Sequence, residues 1–244
     1  MITLRRAEER HHNRRRKHEF WFTFDAQQRA EPLADGFGAL ELLSEDRVAP
    51  GADLPRHAPH DAEIVTYVRD GALAYEDAMD GAGVICAGEF RRMSGPAIGH
   101  GGTNASPTDW AHVFRAWLRP SQVGLEHAHE QRRFSAAERR GLLCVIASPD
   151  ARSGSLRIHQ DALMYSALLH RGHHVVHELS QGRSAWLHLV EGEVTLRDFV
   201  LTSGDGAGIT AELAVSLTAR EETELLLFDL GEQQPRSPGD GDAP

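Results

Sequence analysis

Cysteine is scarce: Cys86 and Cys144 are the only two in 244 residues, so no disulfide framework is implied. Both sit in apolar runs, where buried, inert thiols are expected, and a reducing cytoplasm is the compartment that follows. No apolar run approaches the roughly 20 residues a membrane-crossing helix needs. The opening stretch "MITLRRAEERHHNRRRKHEF" has no apolar h-region, so a secretory signal is not expected. Positive charge is also in deficit. With 26 Lys and Arg against 36 Asp and Glu, the formal net charge is -10, which argues against a general nucleic-acid binder. Several catalytic signatures are missing: there is no G-x-S-x-G elbow, no phosphate-cradling glycine loop ending in Lys-Ser or Lys-Thr, and no paired-cysteine zinc spacing. Long amphipathic helical patterns are lacking too; "SAAERRG" supports at most a short helix.

What is present is strand. Runs such as "EFWFTF", "GALELL", "EIVTYV", "GVICAG", "LLCVIA", "AWLHLVEGEVTL" and "TELLLFDL" are short, rich in Val, Ile, Leu and aromatic residues, and punctuated by Gly, Asp and Pro. In "WAHVFRAWLRP" one face carries Trp110, His112, Phe114, Ala116 and Leu118, and the other Val113, Arg115, Trp117 and Arg119. That two-faced pattern fits a strand in the wall of a barrel or sandwich. Hydrophobic residues make up 41% of the chain, enough for a real core. The basic cluster of Arg5, Arg6, Arg10, Arg14, Arg15, Arg16 and Lys17 is expected to be a solvated terminal segment.

Two segments echo each other. "EIVTYVRDGALAYEDAMDGAGVICAGEF" reads as strand, acid-Gly turn at Gly71, strand, and a Gly-bounded hairpin. "SAWLHLVEGEVTLRDFVLTSGDGAGI" repeats the order, with its turn at Glu191-Gly192. Two similar all-β barrels joined near residues 120–140 are therefore predicted, followed by a Pro-, Gly- and Asp-rich tail that should be disordered.

The chain resembles the bacterial pirin family of cupins. The resemblance rests on "WFTF", "GFGALELLSEDRV", "HDAEIVTYVRDGALAYEDAM", "GEFRRMSGPAIGH", "EQRRF", "SPDARSGSLRIHQDALMY" and "LLLFDL", which occur in order over nearly the whole chain. It implies an all-β bicupin of two small jelly-roll-like barrels. The expected divisions are an N-terminal barrel at 1–125 carrying the ancestral metal site, a C-terminal barrel at 126–231 and a tail at 232–244.

In pirins the N-terminal barrel presents His-x-His before the "EIVTYV" strand and His-x-Glu after the following Gly-rich turn. A spacing of two on an extended chain points both side chains to one face. Three imidazoles and a carboxylate suit Fe(II) or a similar divalent ion. Laid on that pattern without gaps, His57 takes the first histidine position, Pro59 the second, His100 the third, and Gly102 the glutamate. Neither proline nor glycine offers a side-chain donor. His60, one position past Pro59, should face the opposite way, unless Pro59 and the restricted Ala58 shift the loop. With that shift His57, His60 and His100 form the metal set. No catalytic residue and no cofactor is assigned; Fe(II) or another divalent metal at low occupancy is the most the barrel is expected to hold.

Three further groups carry weaker patterns. Asn104 follows His100 by four, but its amide is a poor metal ligand. "EHAHE" sets His127 and His129 two apart in what reads as a solvated inter-barrel loop. "HRGHHVVHE" places His173 and His177 on one face of a surface strand and His174 on the other. The resemblance therefore implies two functions. One is a small-ligand or partner-binding bicupin with a degraded metal centre; the other is a metal-dependent quercetin 2,3-dioxygenase. The expected partners are a small aromatic ligand in the N-terminal barrel or a protein partner, with no membrane and no nucleic acid.

Overall fold

Strand alternation builds nearly everything in this chain. The computed structural model describes residues 1–24, 33–55, 62–77, 81–95, 101–122 and 124–232. The first half of the chain provides β1 (Ile2–Arg5), β2 (His11–Arg15), β3 (His18–Phe22), β4 (Leu40–Val48), β5 (Asp53–Leu54), β6 (Glu63–Asp70), β7 (Ala72–Asp77), β8 (Gly81–Cys86), β9 (Glu89–Ser94), β10 (Gly102–Asn104) and β11 (Ala111–Leu118). The second half provides β12 (Ala128–Arg133), β13 (Cys144–Ser148), β14 (Leu156–Arg157), β15 (Ala162–Leu169), β16 (His174–Glu178), β17 (Ser184–Glu191), β18 (Glu193–Leu196), β19 (Phe199–Thr202), β20 (Gly206–Ile209), β21 (Ala214–Ala219) and β22 (Thr223–Leu230). The short helix expected in "SAAERRG" is α1 (Ala136–Arg139). Ser135 caps it, accepting from the Glu138 amide, while the Glu138 carboxylate accepts from the Ser135 amide.

Among the described residues the strands form four sheets. A seven-stranded sheet of order β12-β9-β6-β11-β4-β3-β2 and a four-stranded sheet β5-β10-β7-β8 make the N-terminal cupin. A seven-stranded sheet β1-β20-β17-β22-β15-β13-β14 and a four-stranded sheet β16-β21-β18-β19 make the C-terminal one. The internal echo in the sequence is a structural repeat. In the first unit β6 pairs with β9 and β7 with β8; in the second β17 pairs with β20 and β18 with β19. The two turns that open the units use glycines at positive φ, Gly71 at 77° and Gly192 at 95°. A Cβ on Gly192 would lie 2.4 Å from the Glu222 carbonyl oxygen, so both backbone angle and space demand glycine there.

Strands cross between the halves at both ends. β1 pairs antiparallel with β20 of the C-terminal sheet, whereas β12 pairs with β9 at the edge of the N-terminal sheet. The basic N-terminal segment is therefore not the solvated stretch its charge suggested. Arg5 and Arg10 are buried, Arg6 bridges to Asp205 at 2.8 Å, and Arg10 to Glu45 at 2.7 Å. Only Arg14, Arg15, Arg16 and Lys17, at the β2–β3 turn, remain exposed. Strand hydrogen bonds and an opposite charge offset the desolvation of these arginines, which composition alone cannot foresee. The cysteines are also corrected: Cys86 and Cys144 are free thiols but only half-buried.

The eight-residue strands β11 and β22 are buried along their whole length on both faces. Each therefore serves two cores. From β11, Phe114, Ala116 and Leu118 join Leu226, Phe228 and Leu230 of β22 in one cluster between the two large sheets, while Val113 faces the first barrel and Leu225 and Leu227 the second. The central layer is aromatic. Tyr67 stacks on Phe90 at 4.2 Å, Phe134 meets Phe90 edge-on at 5.5 Å, and Phe24 meets Trp186 at 4.8 Å. Such pairs add roughly 0.5–1.5 kcal/mol each beyond their buried area. Polar groups also cross this layer: the Tyr67 hydroxyl donates to Glu224 at 2.5 Å, and Arg139 donates to Tyr67, Ser166 and Glu224 at 3.0–3.2 Å.

Candidate functional site

The two barrel interiors differ in kind. That of the C-terminal barrel is filled with aliphatic side chains, among them Ala167, Leu187, Leu189, Leu201, Leu217 and Leu227. At its end sits a polar cluster in which Asp229 accepts from His177 at 2.7 Å and from Arg183 at 2.5 Å. The N-terminal barrel instead keeps a cavity of about 30 Å³, room for about two water molecules. Apolar Ile64, Leu73, Ile85 and Trp117 line it together with Arg91 and Arg115.

Strand register explains why two arginines meet there. Arg115 of β11 lies opposite Ser44 of β4 and Thr66 of β6, and Thr66 lies opposite Arg91 of β9. All four side chains point into the barrel from one row across the sheet. Arg91 sits over the Tyr75 ring at 3.7 Å. Arg115 donates from Nη2 to Asp46 Oδ2 at 3.1 Å and from Nη1 to the Pro55 carbonyl at 3.3 Å. Asp46 also takes the Ser44 hydroxyl at 2.9 Å and the His18 ring nitrogen at 2.9 Å. Burial would raise the Asp46 carboxyl, but Arg115 first, then His18 and Ser44, outweigh it and hold it below the usual carboxylate range.

A second buried ionic group lies on the opposite face of the same sheet. Glu45 accepts from Arg10 at 2.7 Å and pairs with His112 at 2.9 Å. Burial opposes its ionisation, yet His112 and Arg10 together pull it down to about 2. Close by, His188 is fully buried with neither ring nitrogen hydrogen-bonded among the described residues, and burial, helped by Arg10, pushes its pKa down to about 3. It is a neutral core imidazole.

The metal set expected from sequence, His57, His60 and His100, lies outside the described residues, as does Pro59. Gly102 is described. It opens β10, paired with Leu54 of β5, and a Cβ there would lie 2.8 Å from Leu73 Cγ and 2.9 Å from the Ala74 carbonyl oxygen. Because one obstacle is backbone, a glutamate at this position requires β7 to move. Asn104 is fully committed to structure. Its amide donates to the Val48 and Asp109 carbonyls at 2.9 and 2.8 Å, and its oxygen accepts from the Ser106 amide at 2.9 Å. Among the described residues no three His, Cys, Asp or Glu side chains gather as a metal site. "EHAHE" is not a loop: it enters β12, where Glu130 bridges to Arg92 at 3.2 Å. In the other histidine group, His174 faces Thr218 on the exposed side of β16, while His177 reaches inward to Asp229. The sequence reading missed Arg91, Asp46 and His18. The available signal was a charge within a run of wall residues, as in "VFRAW", where Arg115 alternates in phase with Val113 and Trp117.

Residues 2–118 match the Pirin family and residues 145–230 the Quercetinase C-terminal cupin domain. The chain is 37% identical over 231 residues to quercetin 2,3-dioxygenase of Escherichia coli strain K12, covering 94% of this chain and 99% of that one. It is 33% identical over 215 residues to a pirin-like protein of Caulobacter vibrioides, covering 87% and 90%. The crystal structure of YhhW from Escherichia coli superposes with a TM-score of 0.86 at 35% identity over 97% of this chain and 100% of that one. The nickel(II) complex of the Escherichia coli pirin YhhW gives a TM-score of 0.84 at 34% identity, covering 95% and 100%. With its two cupin barrels, its repeated strand unit and these matches over both halves, the chain belongs to the pirin family.

Proposed function

We propose that this chain is a pirin whose N-terminal metal centre is degraded and whose first-barrel cavity takes a small ligand. Gly102 carries the reading. Where the pirin pattern has a carboxylate donor, this chain has a hydrogen, and its neighbours Leu73 and Ala74 occupy the space a side chain would need. The pattern's second histidine position holds Pro59, which has no donor atom. The described lining also places Arg91 and Arg115 against the cavity, and two fixed guanidinium charges oppose a divalent cation. These groups do not fit a metal ion. The cavity of about 30 Å³ is also well below the roughly 300–1,000 Å³ typical of sites for drug-sized ligands.

Elemental analysis after incubation with nickel(II) or Fe(II) and desalting, paired with a quercetin turnover assay, tests the reading. Metal far below one ion per chain and no turnover are expected. One retained ion per chain together with quercetin consumption overturns the proposal. It would establish the second reading, a metal-dependent quercetin 2,3-dioxygenase, which the identity to the Escherichia coli enzyme favours. A protein partner on the exposed Arg14–Lys17 turn is the other form a binding role takes. Point substitutions there are the suitable test, because removing residues 1–17 would also strip β1 from β20 and Arg10 from Glu45.

A further inference from the structure

We propose that Arg115, supported by Arg91, makes the first-barrel cavity a receptor for the carboxylate group of a small organic acid; this rests on the reading of that cavity as a ligand site without metal. Arg115 is 4% exposed and lines the cavity. Its two Nη groups are engaged by Asp46 and Pro55, whereas its buried Nε–H has no acceptor among the described residues. A buried donor left unmade is costly, and a carboxylate oxygen drawn to the guanidinium gains a charge-assisted hydrogen bond. Asp46 cannot serve a cation in its place, since Arg115, His18 and Ser44 already occupy its oxygens. The carboxylate on the described lining is that of Glu76, an exposed residue.

Arg91 brings a second permanent charge from the same row, two strands away across Thr66, and the Tyr75 ring beneath it fixes its plane. The remaining wall is apolar, with Ile64, Leu73, Ile85 and Trp117 available to a hydrocarbon portion. Size selects within the anions. The free volume holds about two waters, which suits a planar carboxylate group better than a tetrahedral phosphate.

The test titrates the full chain with acetate at constant ionic strength, followed by calorimetry, with acetamide as the neutral isostere and inorganic phosphate as the larger anion. Saturable millimolar acetate binding is expected, with acetamide and phosphate at least tenfold weaker. Arg115→Gln should weaken acetate at least tenfold. Because that variant also leaves Asp46 short of a partner, Arg91→Gln, which leaves the Asp46 contacts intact, is measured beside it and should weaken acetate severalfold. Equal binding of acetate and acetamide, or no saturable binding, overturns the proposal. Metal content of the same samples separates the two readings. Failure in metal-free protein sinks the carboxylate site alone; acetate binding that needs one ion per chain sinks the metal-free reading as well.

Discussion

Replacing Glu224 with leucine removes the acceptor at the centre of the contact between the two halves. Its carboxylate takes the Tyr67 hydroxyl at 2.5 Å, Arg139 Nη1 at 3.0 Å and Arg69 Nε at 3.0 Å, and the residue is 7% exposed. Arg69 can fall back on Glu191 and Asp70 at the surface. Arg139, 6% exposed, cannot reach water as easily and would be left as a buried charge between Tyr67 and Ser166. Deleting one partner of a buried pair costs roughly 3–5 kcal/mol. In a chain of this length that corresponds to a fall of about 6–20 °C in Tm. Urea unfolding followed by tryptophan fluorescence reports on both halves, because Trp117 and Trp186 are fully buried in different sheets. The midpoint should drop with the slope unchanged. Pairing Glu224→Leu with Arg139→Met should recover most of the loss, since an apolar replacement of the whole pair leaves no orphaned charge. A single-variant cost below about 1 kcal/mol, or no recovery in the double variant, would refute the reasoning.

Acid should weaken the fold in two stages. His188 sits at about 3 in the folded chain against 6.5 when free, so the unfolded chain takes up its proton first. The stability this gives neutral protein is whole above pH 6.5 and declines as the pH falls toward 3. Glu45, at about 2 against 4.5, contributes stability that is whole above pH 4.5 and lost as the pH falls toward 2. Urea midpoints measured from pH 7 to 4 should therefore fall below pH 6.5 and more steeply near 4.5, and His188→Leu should flatten the upper part; a midpoint constant down to pH 5 counts against it. Asn104→Ala deletes three hydrogen bonds that clamp the turn between β10 and β11, and it should cost about 2–4 kcal/mol in thermal denaturation. A loss under 1 kcal/mol would show that the clamp is dispensable.

Much of the fold was legible because alternation and glycine punctuation are local. The runs "EIVTYV", "AWLHLVEGEVTL" and "TELLLFDL" are β6, β17–β18 and β22, and the turn glycines Gly71 and Gly192 fall where the echo placed them. The site was less legible. The expected ligand positions rest on a pattern in sequence, whereas the surroundings of Gly102 are set by Leu73 and Ala74, which lie about thirty residues earlier. His18 and Arg115 meet at Asp46 only because β3, β4 and β11 are neighbours in one sheet.

The sequence by itself determined that the chain alternates and that it repeats a four-strand unit, and it placed Pro59 and Gly102, which have no donor atoms, where the pirin resemblance implies ligands. Those follow from side-chain period and residue chemistry, which need no partner. Only the tertiary structure decided which face of β11 looks into a cavity and which packs on the second barrel. It also decided that the basic N-terminus is woven into both sheets, and that two arginines share one wall. A period of two divides a strand into faces but says nothing of what each face meets; strand order does that, and it is set by contacts far apart along the chain.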